Sequence, residues 1–129
     1  MVNNKFLTGV YKDAMVFFLE NMEKHININN KGKIIFVNQN DLLQQINSAT
    51  IVVESTPHYC IIKFYHNGVY ENSHDKVIEI QVIRENLPPV VFHMFLTNNT
   101  IYEFEYFKAD SSEMSNEELF VGDVVFEIY

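Results

Sequence analysis

The second half of the chain is a succession of short segments in which polar and apolar residues alternate. The clearest run from Val77 to Arg84 and from Ile101 to Phe107. A period of two is typical of β-strands that turn one face to a core. Asn67-Gly68 and Asn98-Asn99 separate such segments, and Asn-Gly is a strong signal for a tight hairpin turn. Because the connections are short, the chain is confined to a mainly antiparallel sheet.

About six or seven strands are predicted in all. They cover residues 33–37, 51–53, 59–65, 77–84, 90–96, 101–107 and 124–129. The arm returning after Asn67-Gly68 is predicted to begin at Val69-Tyr70. Pro57 is predicted to close one strand and Leu87-Pro88-Pro89 to interrupt the chain, because proline supplies no amide donor to a ladder.

The N-terminal part of the chain carries a helical pattern instead. Over residues 5 to 24 the apolar residues recur three and four positions apart, at Leu7, Val10, Tyr11, Ala14, Met15, Phe18 and Met22. The stretch Asn27 to Gly32 is predicted to end this helix. Asn40 or Asp41 is predicted to cap a second, short helix that runs through Asn47. The sequence therefore predicts one α+β domain over residues 1–129, with an N-terminal amphipathic helix packed on a curved, mainly antiparallel sheet of about six strands.

Negative charge is concentrated in the last quarter of the chain. The net charge of the protein is -8, and between Glu103 and Tyr129 there are eight acidic residues with Lys108 as the only base. A field of this kind repels nucleic acid and anionic lipid and attracts basic partners. The longest apolar run is about half a dozen residues, far below the ~20 needed to cross a bilayer. We therefore expect a cytoplasmic protein that binds neither nucleic acid nor membrane.

Catalytic, metal and cofactor motifs are missing from the sequence. The four glycines are isolated, which excludes a phosphate-binding loop, and Cys60 is predicted to be a buried, inert thiol. His66, His74 and Asp75 flank a predicted turn and form a conceivable surface metal site, although the sequence favours a solvated loop. His93 interrupts an apolar segment, which favours a hydrogen-bonded structural histidine over a general base. We expect a non-catalytic protein without a metal or cofactor.

Two glutamates in the predicted strand 101–107 form a candidate acidic stripe. Glu103 and Glu105 are two positions apart and should share one face, with Tyr102, Phe104 and Tyr106 on the other. If the tyrosines face the core, the glutamates are simply the solvated side. If the strand lies at an edge, the tyrosines supply contacts to a partner while the acids attract it.

A binding protein that neutralises a basic partner is the function that this charge pattern favours. Small acidic domains of this profile include immunity proteins that block nuclease-type toxins, so a toxin or nuclease domain is the expected kind of partner. The candidate partner-binding residues are Tyr102, Glu103, Glu105, Tyr106, Asp110, Glu113, Glu117 and Glu118.

Two other classes of function stay open. A long helix against a curved sheet can enclose an aromatic cavity for a small molecule, with His93, Tyr102 and Glu103 as its polar groups. The wide apolar face of the first helix and the C-terminal strand also suit a homo-oligomeric structural or assembly subunit.

Overall fold

A computed structural model describes residues 2–3, 9–29, 39–114 and 119–129 of the chain. The two helices are α1 (Gly9–Asn29) and α2 (Gln39–Ser48). The strands are β1 (Val2–Asn3), β2 (Thr50–Ser55), β3 (Tyr59–Tyr65), β4 (Lys76–Arg84), β5 (Leu87–Thr97), β6 (Thr100–Lys108) and β7 (Asp123–Ile128). They form one open sheet in the order β1-β2-β3-β6-β5-β4-β7, with antiparallel neighbours throughout. The predicted α+β class, a helix packed on an antiparallel sheet, is confirmed.

The core lies between the helices and one face of the sheet, which we call the inner face. Aromatic rings join the two layers: the Phe18 ring on α1 meets Phe104 on β6 edge-on at 5.3 Å, and Phe17 meets Phe92 on β5 at 5.4 Å. Phe18, Phe92 and Phe104 are fully buried. Burial of such side chains contributes about 1.5–3 kcal/mol each, so this layer contact is a main source of stability.

Helix α1 extends further than its sequence pattern predicts. It continues to Asn29, five residues beyond the predicted end at Lys24. This end lies within the stretch Asn27 to Gly32 that is predicted to terminate the helix. The first asparagine there is still helical, because asparagine inside a helix costs less than about 1 kcal/mol relative to alanine. The second helix begins at Gln39, so Asn40 and Asp41 lie in its first turn rather than before it.

Among the described helices, none combines the length and apolar character that crossing a membrane requires. The predicted strand 33–37 lies outside the described residues.

The two adjacent prolines lie within a strand, which corrects the expected interruption at Leu87-Pro88-Pro89. Strand β5 begins at Leu87, directly after a turn in which Asn86 has a φ of 59°. The register between β4 and β5 shifts between Val82 and Arg84, which leaves Pro88 and Pro89 in an irregular part of the ladder. A bulge is one of the few places where a sheet tolerates proline, because the missing amide would have no partner there.

The turn at Asn67-Gly68 is present, but it does not join neighbouring strands of the sheet. Asn67 and Gly68 have φ angles of 52° and 80°, and His66 pairs with Val69 across them in an isolated bridge. The chain then leaves this short hairpin, and β4 pairs with β5 and β7. The predicted return at Val69-Tyr70 is therefore limited to one bridge, because β6 occupies the position beside β3.

Candidate functional site

The face of the sheet opposite the helices, which we call the outer face, carries a row of acidic side chains. The row consists of directly paired residues on six adjacent strands of the sheet, in the order β2, β3, β6, β5, β4 and β7. In strand order its members are Glu54, Ile61, Glu105, His93, Glu79 and Glu127. We call it the acidic row. Because directly paired residues point to the same face, these side chains form one continuous band.

Two less polar rows flank the acidic row on the outer face. The Phe95 row comprises Val52, Lys63, Glu103, Phe95 and Val77. The Phe107 row comprises Tyr59, Phe107, Val91, Gln81 and Val125. Tyr59 and Val125 are 39% and 44% exposed, so the Phe107 row presents apolar side chains to solvent. The outer face therefore combines a line of negative charge with adjacent aromatic and aliphatic contact area.

His93 lies between two carboxylates at the centre of the acidic row. Its Nε2 is 2.7 Å from Glu79 Oε2 on β4, and its Nδ1 is 3.0 Å from Glu105 Oε1 on β6. The three side chains are 13–21% exposed, so they are shielded from water but still reach the surface. Burial disfavours a charged imidazole, but the hydrogen bonds to Glu105 and Glu79 outweigh it and raise the pKa of His93.

Glu79 is held in its charged form by several donors. Burial alone would raise the pKa of this carboxyl, but Gln81, His93 and Tyr129 donate hydrogen bonds to it and its pKa is lowered. The Tyr129 hydroxyl is 3.3 Å from Glu79 Oε1, and the Gln81 amide is 2.9 Å from the same oxygen. The charge on Glu79 is therefore stable near neutral pH.

Two acids of the row are placed directly opposite each other. Glu79 on β4 pairs with Glu127 on β7. Like charges in this position destabilise an antiparallel pair, and an oppositely charged or neutral residue at 127 would avoid the cost. The stability of the fold therefore does not account for the acid at position 127.

The predicted stripe on β6 is real, but Tyr102 does not lie where the alternation predicts. Glu103 and Glu105 share the outer face, as their spacing requires. The register shifts between Phe95 and Leu96, so that Tyr102 has no direct partner on β5. This bulge turns the Tyr102 ring away from the inner face, toward His66 at 5.3 Å and Tyr70 at 6.4 Å.

Glu103, on the central strand β6, belongs to a small polar and aromatic cluster on the outer face. The Tyr70 hydroxyl donates a hydrogen bond to Glu103, and burial together with this contact raises the pKa of Tyr70. The Lys63 ammonium is 5.6 Å from the centre of the Tyr70 ring and 3.2 Å from Glu54 Oε1. The outer face thus already holds one cation between a carboxylate and an aromatic ring.

Tyr106 is a core residue and cannot touch a partner from where it lies. It is 2% exposed, and its ring stacks on Phe92 at 5.5 Å. Its hydroxyl lies next to the buried thiol of Cys60. Burial raises the pKa of Cys60 to about 11, so the thiol is protonated and unreactive at neutral pH.

The other predicted acids do not join the acidic row. Asp110 and Glu113 are exposed in the turn that follows β6, where the Asp110 carboxylate accepts hydrogen bonds from the Ser112 amide and hydroxyl. Lys108, the base in the acidic segment, is 5% exposed and donates to the Glu113 carbonyl at 3.0 Å. Glu117 and Glu118 lie outside the described residues.

The three side chains of the conceivable metal site at the His66 turn make contacts within the protein. His66 Nε2 is 2.6 Å from the Ile101 carbonyl, the His74 ring packs on Phe95 at 4.8 Å, and Asp75 accepts a hydrogen bond from the Asn98 amide. Within the described part of the chain, no three His, Cys, Asp or Glu side chains converge as metal ligands would.

A cavity of about 270 Å³ opens between α1 and the ends of β2 and β3. Its walls are mostly apolar with a few hydroxyls, and they are formed by Tyr11, Ser55, Thr56, Pro57, Cys60, Tyr106, Met114 and Leu119. The polar groups expected for such a cavity are elsewhere: His93, Tyr102 and Glu103 do not line it.

Three residues of the acidic row, Glu54, Glu79 and Glu127, are absent from the predicted set, although alternation places Glu79 and Glu127 on solvent-facing positions of their strands. Their convergence with Glu105 depends on the strand order, which short-range patterns do not carry.

Comparison of the chain with protein-family models, curated proteins and solved structures gives no match.

Proposed function

We propose that the protein is a non-catalytic binding protein whose outer face takes up and neutralises a basic partner protein. The acidic row is the observation that carries this proposal. Glu54, Glu105, Glu79 and Glu127 lie in one line across the sheet, with exposed apolar side chains in the Phe107 row and half-buried ones in the Phe95 row. Charged groups steer a partner of opposite sign, while aromatic and aliphatic neighbours provide the buried contact that holds it.

The placement of Glu127 opposite Glu79 supports a binding role. A pair of like charges is a cost to the free protein that a cationic partner would remove. The Lys63 ammonium near Glu54 and the Tyr70 ring shows the kind of contact that a partner's lysine or arginine would make. A basic toxin or nuclease domain, blocked as immunity proteins block theirs, is the class of partner that this surface suits.

The test uses two variants that remove the same charge from different surfaces. The outer-face variant changes three acids to glutamine: Glu54, Glu103 and Glu127. The helix variant changes three exposed acids of α1 to their amides: Asp13, Glu20 and Glu23. Both variants lose three negative charges, so their long-range attraction for a basic protein is weakened alike, and only the location of the loss differs.

Wild type and both variants are immobilised and used to capture proteins from a lysate of the source organism at low and at moderate salt. We expect one basic protein on the wild type and the helix variant, and a large loss on the outer-face variant. The captured protein is then purified, and its affinity for each variant is measured against salt concentration. Equal affinity for the two variants would contradict the proposal.

A small-molecule site is the second candidate, and the cavity at Cys60 and Tyr106 is the observation that favours it. Its volume of about 270 Å³ suits a compound of roughly the size of a one- or two-ring aromatic. A fragment that raises the melting temperature of the wild type, and loses this effect when Met114 is enlarged to phenylalanine, would support it.

A further inference from the structure

The contacts at His93 are best satisfied by two protons on the imidazole. Both ring nitrogens face a carboxylate oxygen, at 2.7 Å on Glu79 and at 3.0 Å on Glu105. A neutral imidazole carries a single N–H, so one nitrogen lone pair would then point at a carboxylate oxygen. Only the doubly protonated ring donates to both partners. In this form His93 is a cation that neutralises one of the two negative charges beside it.

The groups around His93 all act on this proton. Glu79 faces it from β4 and Glu105 from β6, while Glu127 on β7 adds a further negative charge beside Glu79. The neighbouring rows bring Glu103 and Lys63, and Tyr129 reaches Glu79 with its hydroxyl. The rings of Phe95 and Phe107 lie 5.7 Å and 5.9 Å from the imidazole and shield it from water. Negative charge dominates this set.

We propose that the proton on His93 and a basic side chain of the partner compete for Glu79 and Glu105, so that partner binding releases this proton and tightens as the pH rises. The inference rests on the proposed function of the outer face. A guanidinium is a planar cation with several N–H donors and suits the same carboxylates as the imidazolium does. Two cations side by side repel each other, so the group that can lose its charge does so.

The protonated protein and the partner form a complex and one proton passes from His93 to solvent, while no other bond is made or broken. Arginine keeps its charge at every pH of interest, so the partner's own titration does not contribute when the probe contains arginine as its only basic side chain. The pH dependence then reports on the protein alone.

The probe is a hexa-arginine peptide with blocked ends, titrated into the protein between pH 6 and 9 at low salt. Calorimetry in buffers of different ionisation enthalpy counts the protons released. For the wild type we expect up to about one proton and an affinity that rises toward tenfold per pH unit where His93 titrates. His93→Gln keeps an amide donor but cannot titrate, so its affinity should lose most of the pH dependence of the wild type.

His58→Gln is the matched control, because His58 is exposed before β3 and its Nδ1 lies 2.9 Å from a backbone carbonyl, that of Ser111. It should keep the pH dependence of the wild type. The titration of His93 in the unaltered protein is followed by NMR with and without peptide, which does not require a variant to fold. We expect the peptide to lower the pKa of His93.

The competition would be overturned by peptide binding that is equally strong at every pH, or by a pH dependence that is undiminished in His93→Gln. Either result would leave the outer face as a cation-binding surface. An unchanged His93 titration in the presence of bound peptide would do the same. No binding of the peptide at any pH would instead contradict the proposed function itself.

Discussion

Glu105 and Glu79, on strands that are not neighbours, are joined through His93 on the strand between them. The imidazole contacts the first at 3.0 Å and the second at 2.7 Å, so three strands of the sheet share one ionic contact on the outer face. This bridge is the best-defined polar feature of the acidic row, and it links the stability of the sheet to the charge of the proposed binding surface.

The first prediction concerns stability against pH. The pKa of His93 is raised in the folded protein, so its contribution is fully present below the unfolded value of about 6.5 and is lost as the pH rises through the folded pKa. The pKa of Glu79 is lowered, so its contribution is present above about 4.3 and is lost in acid.

The wild type should therefore exceed His93→Gln in stability most clearly near about pH 5 to 6, between those two unfolded values. The difference should shrink by pH 9. Urea unfolding midpoints of both proteins across this range check it. A difference that grows with rising pH would show that His93 is not held as a cation.

The second prediction separates stability from function at position 127. Glu127→Gln removes one of two like charges that face each other, so it should stabilise the protein by roughly 0.5 kcal/mol. The same change should weaken binding of a basic partner. Thermal unfolding and a binding titration on one protein sample measure both. A variant that is less stable than the wild type would mean that Glu127 has a structural role.

The third prediction tests the assignment of Tyr106 to the core. Tyr106→Phe removes the hydroxyl that meets the buried Cys60 thiol and should cost about 1 kcal/mol of unfolding free energy. Partner affinity should not change, because the ring is 2% exposed. Tyr102→Phe, which removes a hydroxyl from a half-buried ring at the bulge of β6, is measured beside it for stability and partner affinity. Reduced partner binding by a folded Tyr106→Phe variant would speak against a purely structural role.

The fourth prediction concerns the entry into β7. A Cβ atom at Gly122 would lie 2.4 Å from the Ile83 carbonyl oxygen, closer than any real contact. Gly122→Ala should force the strand away from β4 and cost about 1–3 kcal/mol. Val121→Ala, at a neighbouring position that is 64% exposed, should have little effect. Denaturant unfolding of the two variants distinguishes them, and equal stability would mean that β7 can shift without cost.

The alternation of the second half was sufficient to predict the α+β class and most of the strands, because each strand shows its buried face in its own sequence. The bounds of β3 agree with the prediction at both ends. The interruption predicted at Leu87-Pro88-Pro89 is wrong for a local reason: Pro88 and Pro89 fit a bulge whose existence depends on the facing strand.

The site was harder to predict because its members are distant in sequence. Glu105 was a candidate from its own strand, whereas Glu79 and Glu54 became relevant only through pairing. Tyr102 and Tyr106 belong to one alternating segment, and the alternation places both on the same face of β6. The bulge between β5 and β6 turns Tyr102 to the outer face, while Tyr106 stays in the core. A bulge depends on the fit between two strands, which a single alternating segment does not show.

The most direct test of the outer face as the binding surface is a chemical-shift map. Isotope-labelled protein is titrated with the blocked hexa-arginine peptide at low salt, and the backbone amide signals are followed by NMR. The account predicts that the largest shifts fall on the acidic row and its flanking rows, with His93, Glu79 and Glu105 among the first to respond. Shifts confined to α1, or to the turn that holds Asp110 and Glu113, would contradict it.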